Sequence, residues 1–215
     1  LALAKTLNDL SATPALTKQI NTLLVEASEL YLQQQNFPKA LWLANKTTEV
    51  VKQNFQYTYR LLLVKAKSLH ALDYHQSAHK QLKIIREFVT YANIESPTTP
   101  LKLTYDYYLS LKEVLKVEQL PVKALVAELI AFSLNSEAST EDVFSLWDNL
   151  RSLNQWQLMQ LVKAEPPFIK GWQQLLTYSH KFGDNNEEFP RYLALWEQRY
   201  PIHPAVVIVE ELKVS

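Results

Sequence analysis

The chain has 215 residues with 22 Lys or Arg and 22 Asp or Glu, so its formal net charge is zero, and no run of one sign marks it as a nucleic-acid binder. Cysteine is absent, which excludes disulfides, thiolate metal sites and cysteine nucleophiles. Glycine occurs only twice, at Gly171 and Gly183, whereas antiparallel sheets, dinucleotide-binding turns and phosphate loops need more of it, so the composition predicts an all-α protein.

Prolines preceded by a turn residue mark helix starts, and together with an apolar period near 3.6 they predict four helices in the first half of the chain. These helices are expected over residues 14–34, 38–54, 56–72 and 75–92. Aligned as two antiparallel pairs, they share a spacing of 38 residues (66 − 28), which places Ser28 over Ala66, Ala40 over Ala78 and Ala44 over Leu82. The spacing resembles that of tetratricopeptide repeats, whose unit is ~34 residues.

The turns inside these pairs carry Gln35 and Asp73, where a repeat of this type usually has glycine. After residues 93–100 the register of the repeat is lost, although the helical alternation continues. Further helices are expected over 100–116, 121–135, 140–152, 154–164, 168–182 and 187–200. Ser139 and Asp142 have the spacing of a capping box, and Leu146, Leu150 and Leu153 then mark one buried apolar stripe. The chain is thus predicted to contain about ten helices, stacked in antiparallel pairs as a tetratricopeptide-like superhelix, an α-solenoid.

We expect one helical-repeat domain over residues 1–205, with a candidate subdomain break near 93–100, and the start of a linker to a second domain over 206–215. No stretch reaches the ~18 uninterrupted apolar residues of a spanning helix, and the first residues lack the layout of a secretory signal. The chain is therefore expected to be soluble. Because it begins with Leu1 and ends within an apolar run, we expect it to be a piece of a longer protein.

No constellation in the sequence indicates catalysis, a cofactor or a metal. His75 and His79 stand one helical turn apart, close to His70, as zinc ligands do, but the glutamate of the metalloprotease motif is missing and a solvated histidine cluster is the favoured interpretation. Neighbouring carboxylates such as Glu141 and Asp142 diverge by about 100° around a helix axis, so they cannot face one substrate. No Gly-x-Ser-x-Gly nucleophile elbow occurs.

Two predicted surfaces are candidates for partner recognition. The predicted helix over 75–92 has a basic stripe opposite its apolar face, formed by His79, Lys83 and Arg86. Such a stripe could dock an acidic partner, but more often it is the solvated face of an amphipathic helix. Tetratricopeptide grooves commonly clamp a terminal carboxylate with Lys and Asn. The corresponding places here argue against a clamp, because they are Val25, Glu29, Leu63 and Lys67.

The last part of the chain combines a Gly-Trp pair with the run Trp-Glu-Gln-Arg-Tyr-Pro-Ile-His-Pro-Ala. The residues that carry this signature are Gly171, Trp172, Trp196, Arg199, Tyr200, Pro201, His203 and Pro204. Together they resemble the end of the amino-terminal domain of the LpoA family, outer-membrane lipoproteins that activate a bifunctional class A penicillin-binding protein. Because the two prolines forbid the helix to continue, we expect this exit to form a stiff joint with a structural role.

The resemblance implies a non-catalytic interaction and spacer domain on the periplasmic side of the outer membrane, in a protein anchored through an acylated cysteine outside this chain. It also implies a following domain shaped like a periplasmic binding protein, which would hold the main contact with the penicillin-binding protein and so regulate cell-wall synthesis. Peptidoglycan is a further expected partner, and no cofactor is implied. Two other hypotheses stay open: a peptide-binding scaffold unrelated to the cell wall, and an α-superhelical enzyme such as a lytic transglycosylase.

Overall fold

The computed structural model of this chain describes residues 14–51, 54–135 and 139–152, together with Gln157, Gln174 and Leu175. All regular structure in this part of the chain is helical. Its helices are α1 (Pro14–Gln33), α2 (Phe37–Val50), α3 (Phe55–Ala71), α4 (His75–Glu95), α5 (Tyr105–Val117), α6 (Pro121–Leu134) and α7 (Thr140–Ser152). The predicted all-α fold of stacked helix pairs is confirmed, with seven helices described where about ten were expected. The predicted helices over 154–164, 168–182 and 187–200 lie outside the described residues.

The chain divides into two compact units, Leu1–Leu103 and Thr104–Ser215. In the first unit α1 packs on α2, α2 on α3 and α3 on α4, and α1 also contacts α3. In the second unit α6 packs on both α5 and α7. Consecutive helices that contact each other across short turns form antiparallel hairpins, the building block of an α-solenoid. The single domain predicted over 1–205, with a linker from 206, stays a prediction.

The hairpins α1–α2, α3–α4 and α5–α6 close through the same turn, in which one non-glycine residue takes the left-handed conformation. The φ angles are 58°, 63° and 57° at Gln35, Asp73 and Gln119. After α1, the N–H of Asn36 donates to the carbonyl of Tyr31 at 2.9 Å and the N–H of Gln35 donates to the carbonyl of Leu32 at 3.0 Å. The same two hydrogen bonds recur after α3 and after α5, which is the Schellman arrangement that satisfies the last carbonyls of a helix.

This recurrence refines the prediction that the repeat register ends after residues 93–100. Asp73 follows Gln35 by 38 residues (73 − 35), whereas Gln119 follows Asp73 by 46 (119 − 73). The spacing grows because α4 runs to Glu95 and residues 96–104 are not helical, while the hairpin keeps its geometry. The residue five positions after the turn residue is buried in each of the three described hairpins, with exposures of 0%, 0% and 3% at Ala40, Ala78 and Ala124. Small residues at such a position let paired helices approach closely.

The predicted end of the second helix at residue 54 is wrong, because α2 ends at Val50. Asn54 is the N-cap of α3, with φ −106° and ψ 100°, which lie outside the helical region. Its side chain accepts a hydrogen bond from the N–H of Tyr57 at 3.0 Å. Asn54 therefore starts α3 and cannot also continue α2.

The predicted start of the fifth helix at residue 100 is also wrong, because α5 begins at Tyr105. The side chain of Asn93 on α4 holds the backbone of Leu101 from both sides: its amide donates to the carbonyl at 3.0 Å and its oxygen accepts from the N–H at 2.6 Å. The bond to the carbonyl occupies the group that a helix starting at residue 100 would use, and the bond to the N–H fixes the chain in place. The chain therefore stays non-helical until Thr104, the extended N-cap of α5.

One core cluster of the first unit is drawn from its first three helices, while α4 adds further buried residues such as Leu82 and Ile85. That cluster contains Val25 of α1, Ala40 and Ala44 of α2, and Leu61 and Val64 of α3, each at most 3% exposed. A fully buried Val or Leu contributes about 2 kcal/mol to stability through its removal from water. The cluster therefore binds the first hairpin to the first helix of the next one, which is the contact that makes hairpins stack.

In the second unit α6 is the central helix. From Ala124 to Phe132 every residue except Val126 is buried, so the helix has no solvent-facing stripe over this length. A helix that is apolar on all sides is stable only when other elements surround it. One of the buried residues, Glu128, is charged and 8% exposed, and it requires partners.

The last described helix, α7, confirms two sequence predictions. The N–H of Ser139 donates to Oδ2 of Asp142 at 2.9 Å, and the N–H of Asp142 donates to Oγ of Ser139 at 3.2 Å, which is a capping box. Leu146 and Leu150 of the predicted apolar stripe are 2% and 0% exposed. Leu153, the third member of that stripe, lies outside the described residues.

Glycine at Gln35 is expected to keep or raise the stability of the chain, whereas glycine at the neighbouring Gln34 is expected to lower it. Gln35 lies at φ 58°, where a side chain costs about 1 kcal/mol and glycine does not. At Gln34 glycine only adds backbone freedom to the unfolded chain, which costs about 0.5 kcal/mol. Both side chains are exposed, so packing does not separate the variants. Thermal unfolding measures which of the two variants is more stable. A lower Tm for Gln35→Gly than for Gln34→Gly would contradict the prediction.

Asn93→Ala is expected to lower the free energy of unfolding by about 2 kcal/mol, because the half-buried N–H and carbonyl of Leu101 both lose their partner. The segment over residues 96–104 should then be cut faster by a non-specific protease. Asn45→Ala is the matched control, since Asn45 is exposed on α2. Equal cleavage rates in the two variants would show that the Asn93 bonds do not hold this segment.

Candidate functional site

The residues predicted to form the domain exit are not among those that the structure describes. They are Gly171, Trp172, Trp196, Arg199, Tyr200, Pro201, His203 and Pro204. Their role as a stiff joint therefore stays a prediction. The candidate sites that can be built from side chains lie on α1 and α3–α7.

His70 and His75 meet across the turn between α3 and α4. Their Nδ1 atoms lie 3.1 Å apart in a hydrogen bond, and Nε2 of His75 lies 3.6 Å from Oδ1 of Asp73. One imidazole therefore donates to the other, as two uncoordinated rings do. Within residues 14–51, 54–135 and 139–152, no three His, Asp or Glu side chains converge as a metal-ligand group. The zinc interpretation gains no support from this geometry.

The groove positions considered for a carboxylate clamp are occupied in other ways. Val25 and Leu63 are buried, at 0% and 8% exposure. Glu29 forms a bidentate pair with Arg60, whose Nε donates to Oε1 at 2.8 Å and whose Nη2 donates to Oε2 at 2.5 Å. The hydrogen bond with Glu29 raises the pKa of Arg60 above its usual value, against the opposing effect of burial. The guanidinium thus joins α3 to α1 and is not presented to a ligand.

The basic stripe of α4 lies opposite a buried face, as predicted. Lys83 and Arg86 are exposed and His79 is half-buried. The opposite face is buried at Ala78, Leu82, Ile85 and Val89. This confirms the amphipathic helix, while an acidic partner for the stripe stays a prediction.

A part-buried polar chain joins the three described helices of the second unit. Nζ of Lys112 on α5 donates to Oε1 of Glu128 on α6 at 2.7 Å, and Nδ2 of Asn149 on α7 donates to Oε2 of the same carboxylate at 2.9 Å. The side chains of Lys112 and Glu128 are 15% and 10% exposed. Burial disfavours the charge on Lys112, but the hydrogen bond and the charge of Glu128 outweigh it and raise the pKa of Lys112.

This ion pair occupies positions that are uncharged in the other two hairpins. Counted from the turn residue, Lys112 corresponds to Ser28 and Ala66. Glu128 corresponds to Ala44 and Leu82. The two members of each pair are 16 positions apart (128 − 112, 44 − 28, 82 − 66). The uncharged equivalents are all fully buried, at no more than 1% exposure. The third hairpin therefore places opposite charges where the first two have small or apolar contacts.

The ion pair borders a cavity of about 100 Å³ between α5, α6 and α7. Its lining consists of Tyr105, Leu109, Lys112, Glu128, Ala131, Phe132, Asn135, Asp142, Ser145 and Leu146. Asp142 and Ser145 are exposed and lie at the mouth, whereas Glu128 and Ala131 are buried at its inner wall. No motif in the sequence predicts this site, although an alignment on Gln119 places both charges at core positions.

A family model described as "LppC putative lipoprotein" matches residues 2–212. The chain belongs to the LppC lipoprotein family. This is the family of LpoA-type lipoproteins, so the resemblance in the exit residues is confirmed at the level of the family. No curated protein and no solved structure matches the chain.

Membership in the LppC family gives the coarse function. LppC chains are lipoproteins of the cell envelope and do not form a known enzyme family. Among the helices that the structure describes, none has both the length and the apolarity needed to cross a bilayer.

Lys112→Met is expected to lower the free energy of unfolding by about 2 kcal/mol, because the buried carboxylate of Glu128 keeps only Asn149 as a partner. The double variant Lys112→Met/Glu128→Leu should recover most of this loss, since the hairpin then has apolar side chains at both positions. Chemical denaturation measures both effects. A double variant no more stable than Lys112→Met would contradict the role of the buried charge.

Lys116→Met is the matched control for this series. Lys116 lies one turn further along α5, and its Nζ is 3.8 Å from the exposed carboxylate of Glu113, so its loss should cost about 0.5 kcal/mol or less. Because the pKa of Lys112 is raised, the contribution of its pair is complete at neutral pH. It is lost only as the pH rises above the usual lysine value of 10.5.

Proposed function

We propose that this chain is the helical domain of an outer-membrane lipoprotein that activates a bifunctional class A penicillin-binding protein and so regulates peptidoglycan synthesis. The match of the LppC family model over residues 2–212 is the observation that carries the proposal. The domain contributes without catalysis, as a spacer and interaction surface between a lipid anchor and the synthase. Its partners are then the synthase, reached through the full-length protein, and peptidoglycan.

The packing of the first unit supports a spacer. The ion pair of Glu29 with Arg60 and the hydroxyl contact of Thr22 with Tyr57, at 2.6 Å, both join α1 directly to α3. The first helices of consecutive hairpins are therefore tied by polar bonds as well as by their shared core. In a repeat protein each hairpin contacts only its neighbours, so such ties set the stiffness of the stack.

The full-length protein is expected to raise the rate at which the synthase polymerises and crosslinks a lipid-linked precursor in a reconstituted assay. A version without the helical domain should keep this stimulation in detergent, where no distance has to be spanned. In cells the same version should fail to support growth, because its anchor and the synthase lie in different membranes. Synthase turnover and growth complementation measure the two effects.

Replacing the helical domain by an unrelated α-solenoid of similar length separates a spacer from a specific contact. Restored growth would assign the domain a spacer role, whereas continued failure would assign it a direct contact. Photo-crosslinkers at the exposed positions Trp42 and Lys83 would then locate that contact on the synthase or on peptidoglycan. Absence of stimulation by the full-length protein, or muralytic activity of the helical domain, would contradict the proposal.

A further inference from the structure

We propose that the cavity between α5, α6 and α7 is a binding site for a short alkylammonium group, the chemistry at the end of a lysine side chain. The proposal rests on the buried charges of the second unit and is independent of the cell-wall role. Nothing in the family match assigns a ligand to these residues.

The charges of the third hairpin lie at positions that are uncharged in the first two. A buried ion pair is seldom more stable than apolar side chains of similar volume, because both charges lose their hydration. The first two hairpins fill the equivalent positions with uncharged residues, Ser28, Ala44, Ala66 and Leu82. The third hairpin has Lys112 and Glu128 there, and both line the cavity. Packing alone does not require these charges, and their place on the cavity wall makes them available to a polar ligand.

The net charge of the cavity lining determines the charge of a suitable ligand. Lys112 and Glu128 neutralise each other, so the remaining carboxylate of Asp142 gives the lining a net charge of −1. Both hydrogen bonds from Ser139 to Asp142 end on Oδ2, so Oδ1 can accept from a ligand. Each oxygen of Glu128 receives one bond from Lys112 or Asn149, and a carboxylate oxygen can accept two. The site therefore offers acceptors and a negative potential, which favour a cation.

The volume and the apolar wall of the cavity limit the size of the ligand. Leu109, Ala131, Phe132 and Leu146 supply an apolar wall beside the charges. A water molecule needs roughly 10–15 Å³ of such volume, so a cavity of about 100 Å³ holds on the order of eight atoms of that size. A four-carbon chain ending in an ammonium group fits this volume. Its methylenes would contact the apolar wall while its nitrogen reaches Glu128 or Asp142.

The test is a titration of the isotope-labelled 215-residue chain with Nα-acetyl-lysine methylamide. The side-chain amide of Asn149 reports on the site in nuclear magnetic resonance spectra, because it donates to Glu128. This signal is expected to shift in a saturable manner. The norleucine analogue has the same apolar arm without the charge and is expected to bind at least roughly tenfold more weakly.

Two variants locate the ligand. Asp142→Asn keeps a side-chain acceptor for Ser139 but removes the charge, and should weaken binding of the lysine compound roughly fivefold. Glu141→Gln removes a charge from the preceding exposed residue, which does not line the cavity, and should leave binding unchanged. Ser145→Phe places a large side chain at the exposed mouth and should abolish binding while the thermal unfolding curve stays the same.

Butylamine distinguishes the two sources of the same chemical group. Tighter binding of the lysine compound than of butylamine would assign the site to a lysine side chain of a partner, and equal binding would assign it to a free amine. Either result supports the ammonium site. An unshifted Asn149 signal, equal binding of the norleucine analogue, preference for Nα-acetyl-glutamate methylamide, or unchanged affinity in Asp142→Asn would overturn it.

Discussion

The hairpins depend on one backbone constraint, a residue held at positive φ at the end of the first helix of each pair. Because this residue fixes where the second helix begins, the position five residues later always arrives where the two helices cross. That position is alanine in all three cases, at Ala40, Ala78 and Ala124. A side chain in the left-handed region costs about 1 kcal/mol. The paired backbone hydrogen bonds and the close helix contact offset that cost.

Much of the described fold could be predicted from the sequence because its signals are local. Pro14 and Pro121 begin α1 and α6 where proline was expected to start a helix. The capping box of α7 is readable from spacing alone. The boundary before α5 was not predictable in this way, because it depends on hydrogen bonds from a side chain of the preceding helix to Leu101. No periodicity in the sequence indicates that Asn93 holds Leu101 outside a helix.

The polar site was harder to predict than the helices for a different reason. Lysine and glutamate on amphipathic helices are normally solvated, so neither Lys112 nor Glu128 stands out until the third hairpin is aligned with the first two. The longer spacing before Gln119 conceals that alignment. The exit signature needed no structural alignment, since the resemblance of its residues pointed to the family that the family model also matches. Sequence resemblance and packing thus gave information about different parts of the chain.

The buried ion pair also bears on how the repeats find their partners during folding. Similar hairpins can exchange helices, and a helix from one hairpin can pair with the wrong one. If α5 packed on α4, Lys112 would lie against Leu82 without a carboxylate, and an unpaired buried charge costs several kcal/mol. Correct pairing with Glu128 avoids this cost. One lysine and one glutamate thereby give the third hairpin a pairing specificity that the other two described hairpins do not share.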